Sequence, residues 1–144
     1  MKSKVVVEGQ ERTFVLILDQ SEEAFQAVTK FADQEDITGA SVTAIGAFER
    51  AKVGWFDFDA KRYKPISIGE QCKVLSLLGD IAQGSDGRAS LHLHAVLGLS
   101  DGSVRGGHLL EGIVRPTLEV TIVETAAHLQ RKKHPELGIA LIEL

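Results

Sequence analysis

The sequence predicts an α+β fold in which one main amphipathic helix packs on an antiparallel or mixed β-sheet. Only one long stretch places apolar residues at helical spacing, whereas most of the remaining chain forms strand-length apolar or alternating segments. Short turn sequences separate these segments, and short connections favour antiparallel neighbours. One helix against many strands is typical of a layered α+β domain.

The first strand and the helix follow each other closely. Residues Thr13 to Leu18 form a β-branched and aromatic run that predicts a strand. A turn at Asp19-Gln20-Ser21 follows, and Ser21 is the predicted N-cap of a helix over about 22–34. The apolar stripe that this helix would bury consists of Ala24, Phe25, Val28, Phe31 and Ala32.

The rest of the chain predicts strands separated by turns rich in Gly, Asp, Ser and Pro. A last apolar run, Ile139 to Ile142, is predicted to add an edge strand or to pack on a partner. The other predicted strands are 40–48, 52–58, 72–81, 89–99, 103–110 and 118–125.

Composition indicates one ordinary globular domain of 144 residues, 44% hydrophobic and 25% charged. The net charge of −4 argues against a broad phosphate-binding surface, so direct DNA binding is disfavoured. The single cysteine, Cys72, excludes an internal disulfide and a cysteine-based zinc finger. No apolar run reaches the roughly 18 residues that a membrane span needs. We therefore expect a cytoplasmic protein with no membrane partner.

Three histidines, His92, His94 and His108, are the strongest functional signal. His92 and His94 are two positions apart on a predicted strand and therefore point to the same face. The loop Ser100-Asp101-Gly102 predicts a hairpin in which Leu99 pairs with Ser103. That register places His94 opposite His108 and His92 opposite Leu110. A slip of one residue would move His108 to the other face.

Three converging imidazoles predict a metal site, because imidazole is the commonest side-chain metal ligand. Three nitrogen ligands leave one position open on zinc, as in catalytic rather than closed structural sites. Nickel, iron, cobalt and copper also suit imidazole. The alternative is that the histidines form hydrogen bonds in a polar sheet face or an oligomer interface. Gly106 and Gly107 leave room beside His108 for a ligand or for another backbone.

The chain resembles the plant-and-prokaryote-conserved (PPC) domain family, formerly a domain of unknown function, and looks like a stand-alone prokaryotic member. The resemblance covers about 13–125, which makes 126–144 a C-terminal tail of a single domain over 1–144. Its most specific parts are Leu91-His92-Leu93-His94 and Gly106-Gly107-His108-Leu109-Leu110 in this order. Further matching segments are Ile37-Thr38-Gly39-Ala40, Ala44-Ile45-Gly46-Ala47, Val74-Leu75-Ser76-Leu77-Leu78-Gly79 and Pro116-Thr117-Leu118-Glu119-Val120.

The resemblance implies a PPC-like fold that assembles as a homotrimer and a histidine metal pocket near the subunit interface. In plants the domain follows AT-hook segments that bind DNA, and prokaryotic members carry the label "putative DNA-binding" through that kinship. Two departures limit what carries over. Ile17 stands where a basic residue is expected, and Lys73 replaces the acidic residue of the plant motif at Glu70 to Leu75. No AT-hook sequence occurs in the chain.

We therefore interpret the chain as a metal-binding homotrimer that acts as a binding or regulatory module. Its cofactor is a divalent metal, expected to be zinc, held by His92, His94 and His108. Glu119 is predicted to face the same pocket, as a general base or as an outer partner of a metal-bound histidine. The alternative function is a metal-dependent enzyme, of the hydrolase or lyase type, that acts on a small-molecule ligand at the same site.

Overall fold

The computed structural model describes residues 1–7, 11–125 and 128–143, with side chains described outside 3–10 and 126–127. Within these residues one helix, α1, packs on a sheet of nine strands, which confirms the predicted α+β fold. The elements in chain order are β1 (Lys2–Val7), β2 (Thr13–Leu18), α1 (Ala24–Gln34), β3 (Gly39–Asp57), β4 (Arg62–Ile68), β5 (Cys72–Gln83), β6 (Ala89–Gly98), β7 (Val104–Glu124), β8 (Gln130–His134) and β9 (Ile139–Glu143).

The sheet closes on itself through its two longest strands. β3 pairs with β5 and β7, β7 pairs with β6, and β6 pairs with β5, all antiparallel. β1 and β2 extend the sheet from β7, β4 pairs with the end of β3, and β8 and β9 extend it from β5. No helix in the described part of the chain is long and apolar enough to cross a membrane.

Two pairs of predicted strands are fused in the structure, and three strands were missed. β3 joins the predictions 40–48 and 52–58, and β7 joins 103–110 and 118–125 across Pro116. Three residues separate Val114 from Leu118 on β7, but only one residue separates their partners on β3, Phe48 and Gly46. Pro116 therefore lies in a bulge. Proline is tolerated there because a bulge interrupts the ladder hydrogen bonds. The missed strands are β1, β4 and β8, whereas β9 confirms the predicted edge strand.

The N-cap prediction at Ser21 is wrong. The helix begins at Ala24, and its cap is Glu23, whose carboxylate accepts hydrogen bonds from the backbone N–H groups of Phe25 and Gln26. Residues before it pair with β7: the N–H of Ser21 donates to the carbonyl of Val114 over 2.9 Å. This pairing delays the start of the helix by two residues.

The two faces of the closed sheet have different environments. The inner face packs against α1 around Phe14, whose ring meets Phe31 edge-on at 5.2 Å between centroids. The outer face, called here the open face, carries alternate residues that α1 does not cover. One row across it runs through neighbouring strands and ends at the histidines: Val15, Thr121, Thr43, Leu78, His94 and His108.

Candidate metal centre

The β6–β7 hairpin has the register that the sequence predicted. The N–H of Leu99 donates to the carbonyl of Ser103 over 2.8 Å, and Gly102 adopts a positive φ of 82° in the loop. His94 consequently pairs with His108. The predicted pairing of His92 with Leu110 is wrong, because the described β6–β7 ladder ends at His94 and His108. Beyond that point β7 continues beside β3.

The three histidine side chains converge on the open face. The Nε2 atoms of His92 and His94 are 3.2 Å apart, and one ring nitrogen from each histidine lies within 4.8 Å of the others. The ring of His108 lies 5.2 Å from that of His92 and 5.8 Å from that of His94, between centroids. Its other side stacks on Tyr63 at 4.5 Å. The sequence-predicted histidine cluster therefore exists as a compact group.

The surroundings favour neutral imidazoles at two of the three positions. Burial, followed by the charges of His92, His94 and Arg131, lowers the pKa of His108 to about 4. Burial, followed by the charges of His94 and Arg131, lowers the pKa of His92. A metal binds the neutral form of imidazole, so these rings are in the ligand state at neutral pH. The Nδ1 atom of His108 is buried and has no hydrogen-bond partner among the described residues.

Asp80 and Arg131 lie behind His92 and were not found from the sequence. Asp80 pairs with His92 across β5 and β6, and its Oδ2 is 4.0 Å from the Nδ1 of His92. The other carboxylate oxygen forms an ion pair with Nη2 of Arg131, on β8. Arg131 is only 6% exposed, although it belongs to the basic triplet Arg131-Lys132-Lys133, which is typical of a solvated loop. The sequence holds one indication of this group: Asp80 is two residues from Leu78 on β5 and therefore lies on the same face of the sheet.

Gly106 and Gly107 allow close approach of other strands. A Cβ atom on Gly107 would lie 2.7 Å from the carbonyl oxygen of Gly54, and one on Gly106 would lie 2.8 Å from that of Ala95. Of the two roles that the sequence left open, the structure shows the approach of another backbone. These glycines set the distance of β7 from β3 and β6 next to His108.

The prediction that Glu119 shares the histidine pocket is wrong within one chain. Glu119 is exposed on the open face and pairs with Ile45 on β3. Strands β3 and β5 separate it from His94 on β6, which amounts to about 14 Å at the usual strand spacing. Parity placed Glu119 on the correct face, but it could not reveal the strand order.

Two cavities adjoin the histidines. The first, called here the Arg131 cavity, has a volume of about 280 Å³ and lies between the cluster and the β8–β9 hairpin. His92, His108 and Arg131 line it. The second has a volume of about 330 Å³ and a mainly aromatic wall that includes His94, His108 and Tyr63. Burial raises the pKa of Tyr63, so its phenol is protonated at neutral pH. The cluster is accessible from two sides.

The fold and the cluster define a class: an α+β protein with a closed antiparallel sheet and three histidines on its outer face. The family model described as the Plants and Prokaryotes Conserved (PCC) domain matches residues 6–126. The chain belongs to this family, the PPC family that its motifs indicated. No curated protein matches the chain.

Several solved structures are similar over almost the whole chain. A plant- and prokaryote-conserved protein of Pyrococcus horikoshii is 32% identical, with 92% of each chain covered and a TM-score of 0.86. A metal-containing protein of Archaeoglobus fulgidus is 28% identical, covering 100% of this chain and 99% of that one, with a TM-score of 0.84. A Bacteroides thetaiotaomicron protein described as a "putative DNA-binding protein" is 25% identical, with 98% and 96% covered and a TM-score of 0.86. The last description names DNA binding, so it does not support our expectation, drawn from the net charge, that this chain does not bind DNA directly.

Proposed function

We propose that this PCC-domain protein binds a divalent metal ion through His92, His94 and His108 and acts as a homotrimeric binding or regulatory module. The convergence of the three imidazoles carries the proposal. Two nitrogens bound to one tetrahedral zinc ion at 2.0–2.1 Å each are about 3.3 Å apart. The 3.2 Å between the Nε2 atoms of His92 and His94 matches that spacing.

The chemistry of the donor set fits zinc, which is the ion we expect. The lowered pKa values of His92 and His108 keep both rings able to bind a cation at neutral pH. The buried Nδ1 of His108 has no hydrogen-bond partner within the described residues, so no hydrogen bond described at this atom competes with a metal ion for the ring. The similar Archaeoglobus fulgidus protein is metal-containing, which supports the same assignment here.

Asp80 supports the metal site as an outer partner. Metal-binding histidines commonly donate their second ring N–H to a carboxylate, which orients the ring and raises its basicity. With Nε2 of His92 turned to the cluster, its Nδ1 is on the side of Asp80, 4.0 Å away. A small rotation of either side chain would bring the pair within hydrogen-bond distance.

The open face supports assembly with other copies of this chain. Leu78, directly across from His94, is 56% exposed. Apolar residues gathered on one exposed face indicate a protein interface. The family resemblance implies a trimer, and burial of this face between subunits would place the histidine cluster near the interface. The exposed apolar residues of the open face include Ile45, Leu78, Val96, Val104 and Val123.

The alternative is a metal-dependent enzyme that acts on a small molecule. The two cavities beside the cluster favour this second candidate, because they give a ligand access to the open coordination position. A bound metal would polarise a carbonyl or phosphoryl oxygen of such a ligand. Turnover of a small molecule that requires both the metal and His108 would distinguish this function from a binding module.

Metal content of the purified protein tests the proposal. We expect one zinc ion per chain by inductively coupled plasma mass spectrometry after dialysis against zinc and then against metal-free buffer. His94→Ala should lose the ion. His128→Ala is the matched control, because His128 contacts Gln83 outside the cluster. Wild-type protein without stoichiometric metal, or full retention in His94→Ala, would refute metal binding at this site.

A further inference from the structure

The Arg131 cavity has an unusual distribution of charge. Among the described residues that line it, Arg131 is the one lysine or arginine, and none of them is an aspartate or glutamate. Asp80 holds Nη2 of the guanidinium from behind but does not line the cavity. The remaining wall is mostly apolar or small and consists of Tyr63, Ser90, Leu91, Gly138, Ile139, Ala140 and Leu141.

The guanidinium of Arg131 has donor capacity left. An arginine side chain carries five N–H donors, and the described contacts of Arg131 use Nη2 alone. Its Nε is buried, and no described residue accepts a hydrogen bond from it. Buried polar groups are nearly always satisfied in folded proteins, so an unsatisfied donor beside a cavity calls for an acceptor.

We propose that the Arg131 cavity binds a small carboxylate with a short apolar chain. The carboxylate would pair with Arg131 beside a metal ion held by His92, His94 and His108. The contribution of the metal ion therefore rests on the proposed function. An imidazole that binds a metal is neutral, so the three histidines with a divalent cation carry two positive charges, while the charges of Arg131 and Asp80 cancel. An anion therefore complements the loaded site, and Leu91, Ile139 and Leu141 offer contacts to an apolar chain.

Size and donor geometry narrow the ligand class. At about 30 Å³ for each water-sized group, a cavity of about 280 Å³ has room for roughly nine non-hydrogen atoms. The planar guanidinium matches the two oxygens of a carboxylate. Phosphate sites usually combine several N–H groups from a helix N-terminus or from more than one basic residue. A single arginine thus favours carboxylate over phosphate.

Calorimetric titration of the full chain, with and without zinc, tests the proposal. Butyrate is the probe, butylamine has the same apolar chain with the opposite charge, and phosphate represents the other oxyanion. We expect butyrate to bind the zinc-loaded protein at least tenfold more tightly than the metal-free protein, and butylamine not to bind. Binding of phosphate without butyrate, or equal binding of butylamine, would overturn the carboxylate assignment.

Two substitutions on β8 separate the role of Arg131 from that of general charge. Arg131→Lys retains the positive charge near Asp80 but loses the planar fork, and we expect butyrate affinity to fall at least tenfold with zinc content unchanged. Lys133→Gln removes an exposed charge two residues away and should bind butyrate as the wild type does. Unchanged butyrate affinity in Arg131→Lys would overturn the proposal.

Two further experiments apply if Arg131→Lys does not fold or if the wild-type protein holds no zinc. If circular dichroism shows that Arg131→Lys does not fold, Leu141→Phe replaces it: the larger side chain narrows the cavity and should weaken butyrate binding without touching Asp80. A wild-type protein that holds no zinc refutes the metal function. The titration of the metal-free protein then tests the carboxylate site by itself. Butyrate must still bind, and its binding must weaken on substitution of Arg131 or Leu141. If butyrate does not bind the metal-free protein, the inference is overturned.

Discussion

The guanidinium of Arg131 forms an ion pair with the carboxylate of Asp80, and this pair joins the C-terminal β8–β9 hairpin to the strand beside His92. Arg131 is nearly buried, whereas Asp80 keeps about a third of its side-chain surface exposed. The second oxygen of Asp80 faces Nδ1 of His92 at 4.0 Å. A contact between residues 51 positions apart therefore controls the environment of a candidate metal ligand.

Asp80→Asn should weaken zinc binding about 10- to 100-fold, the usual effect of losing an outer carboxylate partner. The amide keeps the shape and one acceptor oxygen, so the fold should persist while the negative charge behind His92 disappears. Competition titration against a zinc chelator measures the affinity, and circular dichroism checks the fold. Asp59→Asn, in an exposed turn, is the control. A zinc affinity within twofold of wild type would show that Asp80 does not act on the site.

The histidine pair was predictable because its geometry is local. Strand parity and a three-residue loop suffice to place His94 opposite His108, and the structure has that register. Asp80, Arg131 and Tyr63 were not predictable in the same way. They reach the cluster through pairings of distant strands, which no local pattern encodes. The same reason explains Glu119: its face followed from parity, but its distance from His94 depends on the strand order.

The pH dependence of stability should report the neutral state of His108. The pKa of His108 is about 4 in the native state, against about 6.5 in an unfolded chain. As the pH falls from about 7 to 4, the unfolded chain takes up protons that the native metal-free protein does not bind. The free energy of unfolding should therefore decrease over this window, and above pH 7 the group makes no contribution.

Urea unfolding of the metal-free protein at pH 7.5, 6.5 and 5.5 measures this slope. His108→Gln should flatten it, and His128→Gln, a histidine substitution outside the cluster, is the control. The lowered pKa values of Asp33 and Glu124 affect stability only near and below about pH 4.5, which lies below the three pH values measured. Equal slopes in wild type and His108→Gln would contradict the low pKa.

Gly107→Ala should destabilise the protein by about 1–3 kcal/mol, the usual range for overpacking. The new Cβ atom would lie 2.7 Å from the carbonyl oxygen of Gly54, so β3 and β7 must separate next to His108. Zinc affinity should fall as well, because the shift moves a ligand. Gly69→Ala is the matched control: no atom of the described residues lies within 4 Å of its Cβ position, and its effect should stay within about 0.5 kcal/mol. Chemical denaturation compares the three proteins, and equal stability of the two variants would contradict the close approach.

Ile45→Asn should weaken assembly of the proposed homotrimer. Ile45 is 59% exposed on the open face, in the same set of apolar residues as Leu78 and Val96. In a trimer that buries this face, an amide in place of the side chain would lose apolar contact and bring an unsatisfied polar group into the interface. Multi-angle light scattering at a series of protein concentrations should show wild type as a trimer and Ile45→Asn dissociating at higher concentration. Leu137→Asn removes an equally large apolar residue from the β8–β9 turn and should remain trimeric. A monomeric wild type, or equal dissociation of both variants, would show that the open face is not the interface.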